Sequence, residues 1–299
     1  MKTQYLEQTR LLLSVLPIVG NYPDFALKGG TALNYFLHDM PRLSVDIDLQ
    51  YLPVTAYSEA KSEIGRQMES ILADIRKALP DAQCHFDANH YRIHVRHRHV
   101  AIKIETNDVI RGCVYPTETR PLSPSVADRF DLSFKFNCLN RADLYAGKLC
   151  AALDRQHPRD LFDIQFFLQQ SGIFERELVV AFVLYLAGCK NSIHELLDPR
   201  PKQLGDVYQN RFEGMASVEI SLLELEQLQL DLPAIVRSSL TDTDRQFLLD
   251  FKRGVPDWSL LPIEHASTLP ALNWKMHNLD KMDRDKRQAA IDKLREVLY

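Results

Sequence analysis

Two carboxylates one residue apart, Asp46 and Asp48, stand in the segment Ser44-Val45-Asp46-Ile47-Asp48-Leu49. Polar and apolar residues alternate there, which in a strand puts both acids on one face and Val45, Ile47 and Leu49 on the other. Acids held side by side repel unless a cation or a proton lies between them, and a rigid pair of hard oxygen donors suits Mg²⁺. Alone, the pair would equally describe two acids on a solvated strand face. The run Lys28-Gly29-Gly30-Thr31 shifts the balance. Glycine lets a backbone approach a phosphate closely, and the unpaired N–H groups and dipole of a following helix favour an anion. Thr31 has the simpler alternative of capping that helix. A phosphate-cradling turn beside a metal-binding strand is what phosphoryl or nucleotidyl transfer requires. A third acid, Glu105 in Ile102-Lys103-Ile104-Glu105, could ligate the metal or accept a proton from an attacking hydroxyl. Lys103 shares its face, so a cross-strand ion pair is the other reading.

Further along, Lys148 sits in a helical pattern among Leu144, Leu149, Ala151 and Ala152. A lysine against an apolar face either snorkels to water or has an anionic partner. Asp160 and Asp163 lie one turn apart at the start of the next helix, where acids also complement the dipole. Arg155 and Arg159 would hold a phosphate or tie the two helices together. Arg92, Arg96 and Arg98, interleaved with His94, His97 and His99, form the densest positive patch. It is a candidate contact for an RNA backbone, or an ordinary charged hairpin tip. The histidines, with Cys84, lack the spacing of a zinc site.

Several elements must position these groups. Helical spacing covers residues 4–19, closed by Pro17, Gly20 and Asn21. A strand over residues 25–28 runs into the glycine turn and a helix over 31–37, and the Asp strand covers 44–49. A helix over residues 59–79 ends at Pro80, and strands 91–95 and 100–105 make a hairpin with Arg96-His97-Arg98-His99 at its tip. A strand within residues 130–138 closes this part. From there the pattern turns helical, over 140–153, 159–170 and 178–187, with Pro158 placed to start the second helix. The expected class is α/β (α+β): a domain of residues 1–139 with a short mixed β-sheet, then a helical domain of residues 140–299, the active cleft lying between them.

Composition excludes much else. A chain of 299 residues with 45% hydrophobic and 25% charged side chains is neither disordered nor fibrous. A net charge of -4 provides no global positive field, so any polyanion must be met locally. Five cysteines without a C-x-x-C pair argue against a complete disulfide framework and for a reducing, cytoplasmic setting. The longest apolar run, residues 178–189, is too short to span about 30 Å of hydrocarbon. The N-terminal segment carries Glu7 and Arg10 and lacks a small-residue cleavage site, so no membrane association is expected.

The blocks Gly29-Gly30-Thr31-Ala32-Leu33, Arg42-x-Ser44-x-Asp46-Ile47-Asp48-Leu49 and Lys103-Ile104-Glu105 resemble the nucleotidyltransferase superfamily. More narrowly, the chain is similar to the AbiEii/AbiGii (MenT-like) toxins of bacterial toxin–antitoxin and abortive-infection systems. The likeness continues in Asp143-Leu144-x-x-Gly147-Lys148-x-x-Ala151-x-x-x-Arg155-x-x-x-Arg159-Asp160-x-x-Asp163. The resemblance implies a nucleotidyltransferase-like fold and transfer of a nucleoside monophosphate from an NTP to an acceptor hydroxyl with Mg²⁺. It implies Lys28, Gly29, Gly30, Thr31, Ser44, Lys148 and Arg159 for the nucleotide, and Asp46, Asp48 and Glu105 for the metal. Lys148, Asp160 and Asp163 join those acids in catalysis. RNA, with the tRNA 3′ end favoured, is the implied acceptor, and a cognate antitoxin the implied partner.

Overall fold

Helix α1 (Thr3–Val19) opens the chain in the computed structural model, which describes residues 1–299. It runs through Pro17 instead of ending there. A proline this close to the C-terminal end removes one backbone bond, while Leu12, Leu13, Val15, Leu16 and Val19 are fully buried; burial of that face outweighs the lost bond.

Strand β1 (Phe25–Lys28) leads directly into α2 (Gly29–Ala32). The expected helix over residues 31–37 is divided: a π-helical turn follows, Leu33–Leu37. Here the Asn34 side chain donates to the Gly30 carbonyl at 2.8 Å, competing with the backbone for a helical acceptor. Strand β2 (Asp46–Tyr51), helix α3 (Tyr57–Ala78) and strands β3 (Gln83–Asp87), β4 (Arg92–His97) and β5 (Val100–Glu105) come next. The hairpin tip is therefore only Arg98-His99, with Arg98 at φ 54°. Strand β6 (Glu118–Pro121), helix α4 (Pro124–Phe130) and strand β7 (Lys135–Cys138) complete the set. Phe130 thus ends a helix, and only the last part of the strand expected over residues 130–138 is extended.

These strands form one seven-stranded mixed sheet, ordered β3-β4-β5-β2-β1-β7-β6. The pairs β2–β5 and β1–β7 are parallel and the rest antiparallel. The outermost strands, β3 and β6, escaped the sequence reading because they are short and polar, and β6 carries a proline that only an edge tolerates. One face of the sheet is apolar: Leu27, Ile47, Leu49, Ile93, Val95, Ile102 and Ile104 are buried. Helices α1 and α3 cover it, α3 with Ile64, Met68, Ile71 and Ile75 at helical spacing. The polar residues of the same strands are thereby forced onto the opposite face.

The chain divides into two compact units, one of residues 1–140 with 213–219, the other of residues 141–212 with 220–299. The return of residues 213–219 to the first unit had no signature in the sequence. Its anchors are backbone bonds: Leu43 N donates to Met215 O at 2.9 Å and Ser217 N to Pro41 O at 2.8 Å.

The second unit is helical: α5 (Arg141–Arg155), α6 (Pro158–Ser171), α7 (Arg176–Gly188), α8 (Ile193–Leu197), α9 (Gly205–Arg211), α10 (Leu222–Ser239), α11 (Asp242–Arg253), α12 (Pro270–Asp280) and α13 (Arg284–Leu298). The long apolar run of the sequence becomes α7, buried on nearly every side against α5, α11 and α12. No helix is long and apolar enough to cross a membrane.

Candidate active site

Register places the acids. Strands β1, β2 and β5 align Lys28 with Asp48 and Asp48 with Glu105, while Asp46 aligns with Lys103. Side chains of one register row share a face, so Lys28, Asp46, Asp48, Lys103 and Glu105 stand together on the polar side of the sheet. The glycine turn closes onto them. Gly29 has φ 70°, and a Cβ there would strike the Asp48 carboxylate, whose Cγ would lie only 3.0 Å away. A Cβ on Gly30 would lie 2.6 Å from Arg42 Nη2 and 3.0 Å from Ser44 Oγ. Both positions thus need glycine because site side chains occupy the space a methyl group would fill.

Thr31 ties the turn to the acid strand. Its hydroxyl donates to the Asp46 carbonyl at 2.6 Å and lies 3.0 Å from Ser44 Oγ. The side chain is wholly buried and α2 has no side-chain cap. Thr31 therefore ties the glycine turn to the backbone of Asp46 and does not cap α2. Ser44 is buried beside it, its carbonyl accepting from the Tyr35 hydroxyl at 2.8 Å.

Like charges dominate the surroundings of Asp48. Burial, then Asp46, then Glu105 push its carboxyl up to about 6, against the smaller opposing influence of Lys28 and Lys103. Two hard oxygen donors crowded in this way meet the electrostatic requirement of a divalent cation. Lys28 is recessed beside them and held low by burial, its ammonium donating to Gln50 Oε1 at 2.8 Å.

Glu105 differs from its neighbours. Its Oε2 accepts from Arg92 Nε at 2.8 Å and its Oε1 from Lys103 Nζ at 3.2 Å. Burial raises its affinity for a proton, but these two cations outweigh it and hold the carboxyl below its ordinary range. Glu105 thus stands in the register row of Asp48 with both of its oxygens engaged by cations. A two-carboxylate site suits Mg²⁺, which takes one or two carboxylates and fills its other positions with water and substrate phosphate.

In the second unit Lys148 takes the second of its two expected states. Its ammonium lies 3.1 Å from Asp160 Oδ1 and 2.9 Å from Asp163 Oδ2, and all three side chains are at most 6% exposed. Arg155 grips Asp160 with two bonds, of 3.1 and 3.0 Å. Burial would raise Asp160, yet Lys148 and Arg155 prevail and hold it low. The spacing of the motif is thus that of a buried ion network joining α5 to α6. Arg159 follows Pro158 in the first turn of α6, its N–H donating to His157 Nδ1 at 3.1 Å.

The three candidate RNA-contacting arginines separate. Arg92 is committed to Glu105 and faces Asp87 across the β3–β4 pair. Arg96 and Arg98 are exposed, one on the polar face of β4 and the other in the turn. The histidines disperse as well: His90 binds Asp87, His99 binds Glu7, and His85 pairs with His94 across strands.

Two further residues belong to the site. Arg42, quoted above only within a motif, is a fully buried arginine filling the hollow at Gly30. Gln50 bonds Lys28 and the Gly112 carbonyl. Continuing the period-two alternation from Asp46 through Asp48 to Gln50 would have found the latter; nothing local marks the former.

Comparison with known proteins accords with this geometry. Residues 10–278 match the family described as Nucleotidyl transferase AbiEii toxin, Type IV TA system. No curated protein matches the chain. Among solved structures, the nucleotidyltransferase toxin MenT4 from Mycobacterium tuberculosis H37Rv superposes with a TM-score of 0.58 at 16% identity, over 97% of this chain and 93% of its own. That likeness is one of fold.

Proposed function

Because the chain belongs to the AbiEii nucleotidyltransferase toxin family, we propose that it uses Mg²⁺ to transfer a nucleoside monophosphate from an NTP to the 3′ end of an RNA, tRNA foremost. The family is that of type IV toxin–antitoxin systems, so an antitoxin partner comes with the assignment. The cytoplasm, where both substrates are found, is the proposed setting.

One observation carries the reading: Asp48, pushed up to about 6 by burial and by Asp46, packs directly on Gly29 of the glycine turn. Bound Mg²⁺ would supply Lewis-acid stabilisation of charge on the triphosphate. Everything else falls to the chain. Asp46 and Asp48 would hold the ion, and Thr31 keeps Asp46 in place through its 2.6 Å bond. Lys28 and the Gly29-Gly30 backbone offer positive charge and close approach to the phosphates. In the second unit, Asp160 and Asp163 hold Lys148 in a buried ion network.

In the reaction the acceptor hydroxyl oxygen bonds to the α-phosphorus, the bond from that phosphorus to the bridging oxygen breaks, and pyrophosphate departs with its electrons. A base clamped by cations is a poor acceptor for the hydroxyl proton. That describes Glu105 and Asp160, and equally Asp46 and Asp48 once they hold the ion, so the hydroxyl proton is assigned to solvent water. The test is incubation of the protein with labelled NTPs, Mg²⁺ and total RNA beside Asp46→Ala. Label at tRNA size, absent with the variant or with chelator, is the expected result; label appearing only on protein or small molecules would refute an RNA acceptor.

A further inference from the structure

The polar face of the sheet continues past the acids, and its register divides it into rows. One row reads Asp87, Arg92, Glu105, Asp48 and Lys28 from β3 to β1. It is internally neutralised, with Arg92 bonded to Glu105 at 2.8 Å. The adjacent row reads His85, His94, Lys103 and Asp46. It holds no acid until it reaches Asp46. Arg96 stands one row further, aligned with Gln83 and Ala101, and Arg98 caps the hairpin beyond. His85, His94, Arg96 and Arg98 are exposed and take part in no ion pair. The apolar side of these strands is covered by α1 and α3, leaving this side as their accessible face.

We propose that the row His85–His94–Lys103, flanked by Arg96, is the platform on which a single-stranded RNA end lies as its terminal hydroxyl reaches Asp46. The proposal rests on the nucleotidyl-transfer reading above and supplies the acceptor's route. An acceptor carrying its own phosphates cannot approach along the Asp87–Arg92–Glu105 row, whose guanidinium is already paired and whose ends are acidic. Along the histidine row it meets the exposed His85 and His94, then Lys103, which shares Glu105 at 3.2 Å, with the unpaired Arg96 one row away. With strands spaced about 4.8 Å apart, three inter-strand steps make a track of roughly 14 Å from His85 to Asp46. An open sheet face suits a single strand, because unstacked bases lie flat on imidazole rings and guanidinium planes while cations meet the backbone. Duplex RNA presents a wide, shallow groove of hydroxyls instead and has little to match on a flat row.

The test measures RNA binding apart from chemistry. Full-length protein carrying Asp46→Ala is titrated against a fluorescein-labelled single-stranded RNA 12-mer, read by anisotropy, with and without His94→Ala plus Arg96→Ala. A loss of affinity of at least 10-fold is expected, with a shallower dependence of affinity on salt by about one ion for the lost arginine. Lys77→Ala, at an exposed position of α3, serves as the off-face control. In otherwise wild-type protein the double substitution raises KM for the RNA acceptor and leaves KM for NTP unchanged. Unchanged affinity, or an equal loss for Lys77→Ala, overturns the platform. If wild-type protein labels no RNA at all, the acceptor reading itself fails. If it labels RNA equally well with and without His94 and Arg96, only the route fails.

Discussion

Two groups of charged side chains in this protein obey opposite rules. Around Asp48 the acids outweigh the cations, and burial together with Asp46 and Glu105 pushes its carboxyl up to about 6. Around Asp160 burial is at least as complete, yet Lys148 and Arg155 hold the carboxyl below its ordinary range. Compensated charge of the second kind forms a closed network that orients its own members. Uncompensated charge of the first kind is an electrostatic deficit that a divalent cation would relieve. The contrast teaches how to tell a site built to receive an ion from one built to hold a helix pair: not by counting acids, but by asking whether their charges are already answered.

The contrast breaks most sharply on removing one charge from each group. Asp46→Ala is expected to lower the transfer rate on the order of 10⁴-fold, about 5.5 kcal/mol in the barrier, with the thermal midpoint essentially kept; initial rates and a melting curve on the same preparation decide. Lys148→Met does the reverse to stability. It strands Asp160 and Asp163 without their ammonium, at a cost of about 3–5 kcal/mol, visible as a lowered denaturant midpoint. A midpoint that does not move would show the network to be dispensable.

Gly29→Ala comes next. It meets both an unfavourable φ of 70° and the Asp48 carboxylate, so a loss of about 1–3 kcal/mol is expected in chemical denaturation, together with weakened NTP binding. Asp48→Asn then sharpens the comparison through its sign. The folded value of about 6 lies above the ordinary 3.8, so the fold binds this proton more tightly than the unfolded chain does. The metal-free fold is accordingly favoured below about pH 4 and loses that contribution as pH rises through about 6. The asparagine variant should be more stable than wild type by about 1–2 kcal/mol at neutral pH, after allowance for the partial exposure of Asp48, while transfer is lost. Equal stability at pH 7.5 would show that the crowding is already relieved within the chain. Smallest is Arg96→Ala, expected to change stability by less than about 0.5 kcal/mol because its side chain is exposed and unpaired.

Much of this was legible in the order of residues. The Asp46-Ile47-Asp48 alternation oriented both acids, the glycine pair announced the close approach that Gly29 and Gly30 make, and the spacing of Lys148, Asp160 and Asp163 is that of partners on adjoining helices. What failed to show had physical causes. Strands β3 and β6 lie at the sheet edges, where half-paired segments need little β-propensity. Arg42 is buried by a fold-level hollow, and no local pattern distinguishes it from a surface arginine. Glu105 is paired with Arg92, a residue thirteen positions away whose distance only the β4–β5 register sets.

By itself, the sequence determined which residues face together, since periodicities of two and 3.6 are properties of the local backbone. It thereby fixed the chemical types available and the expectation of a nucleotidyltransferase. Tertiary structure decided which of those charges answer one another. Pairing energies depend on the packing of β1, β2, β4 and β5, or of α5 against α6, and electrostatic compensation falls off over a few ångströms that no linear spacing encodes.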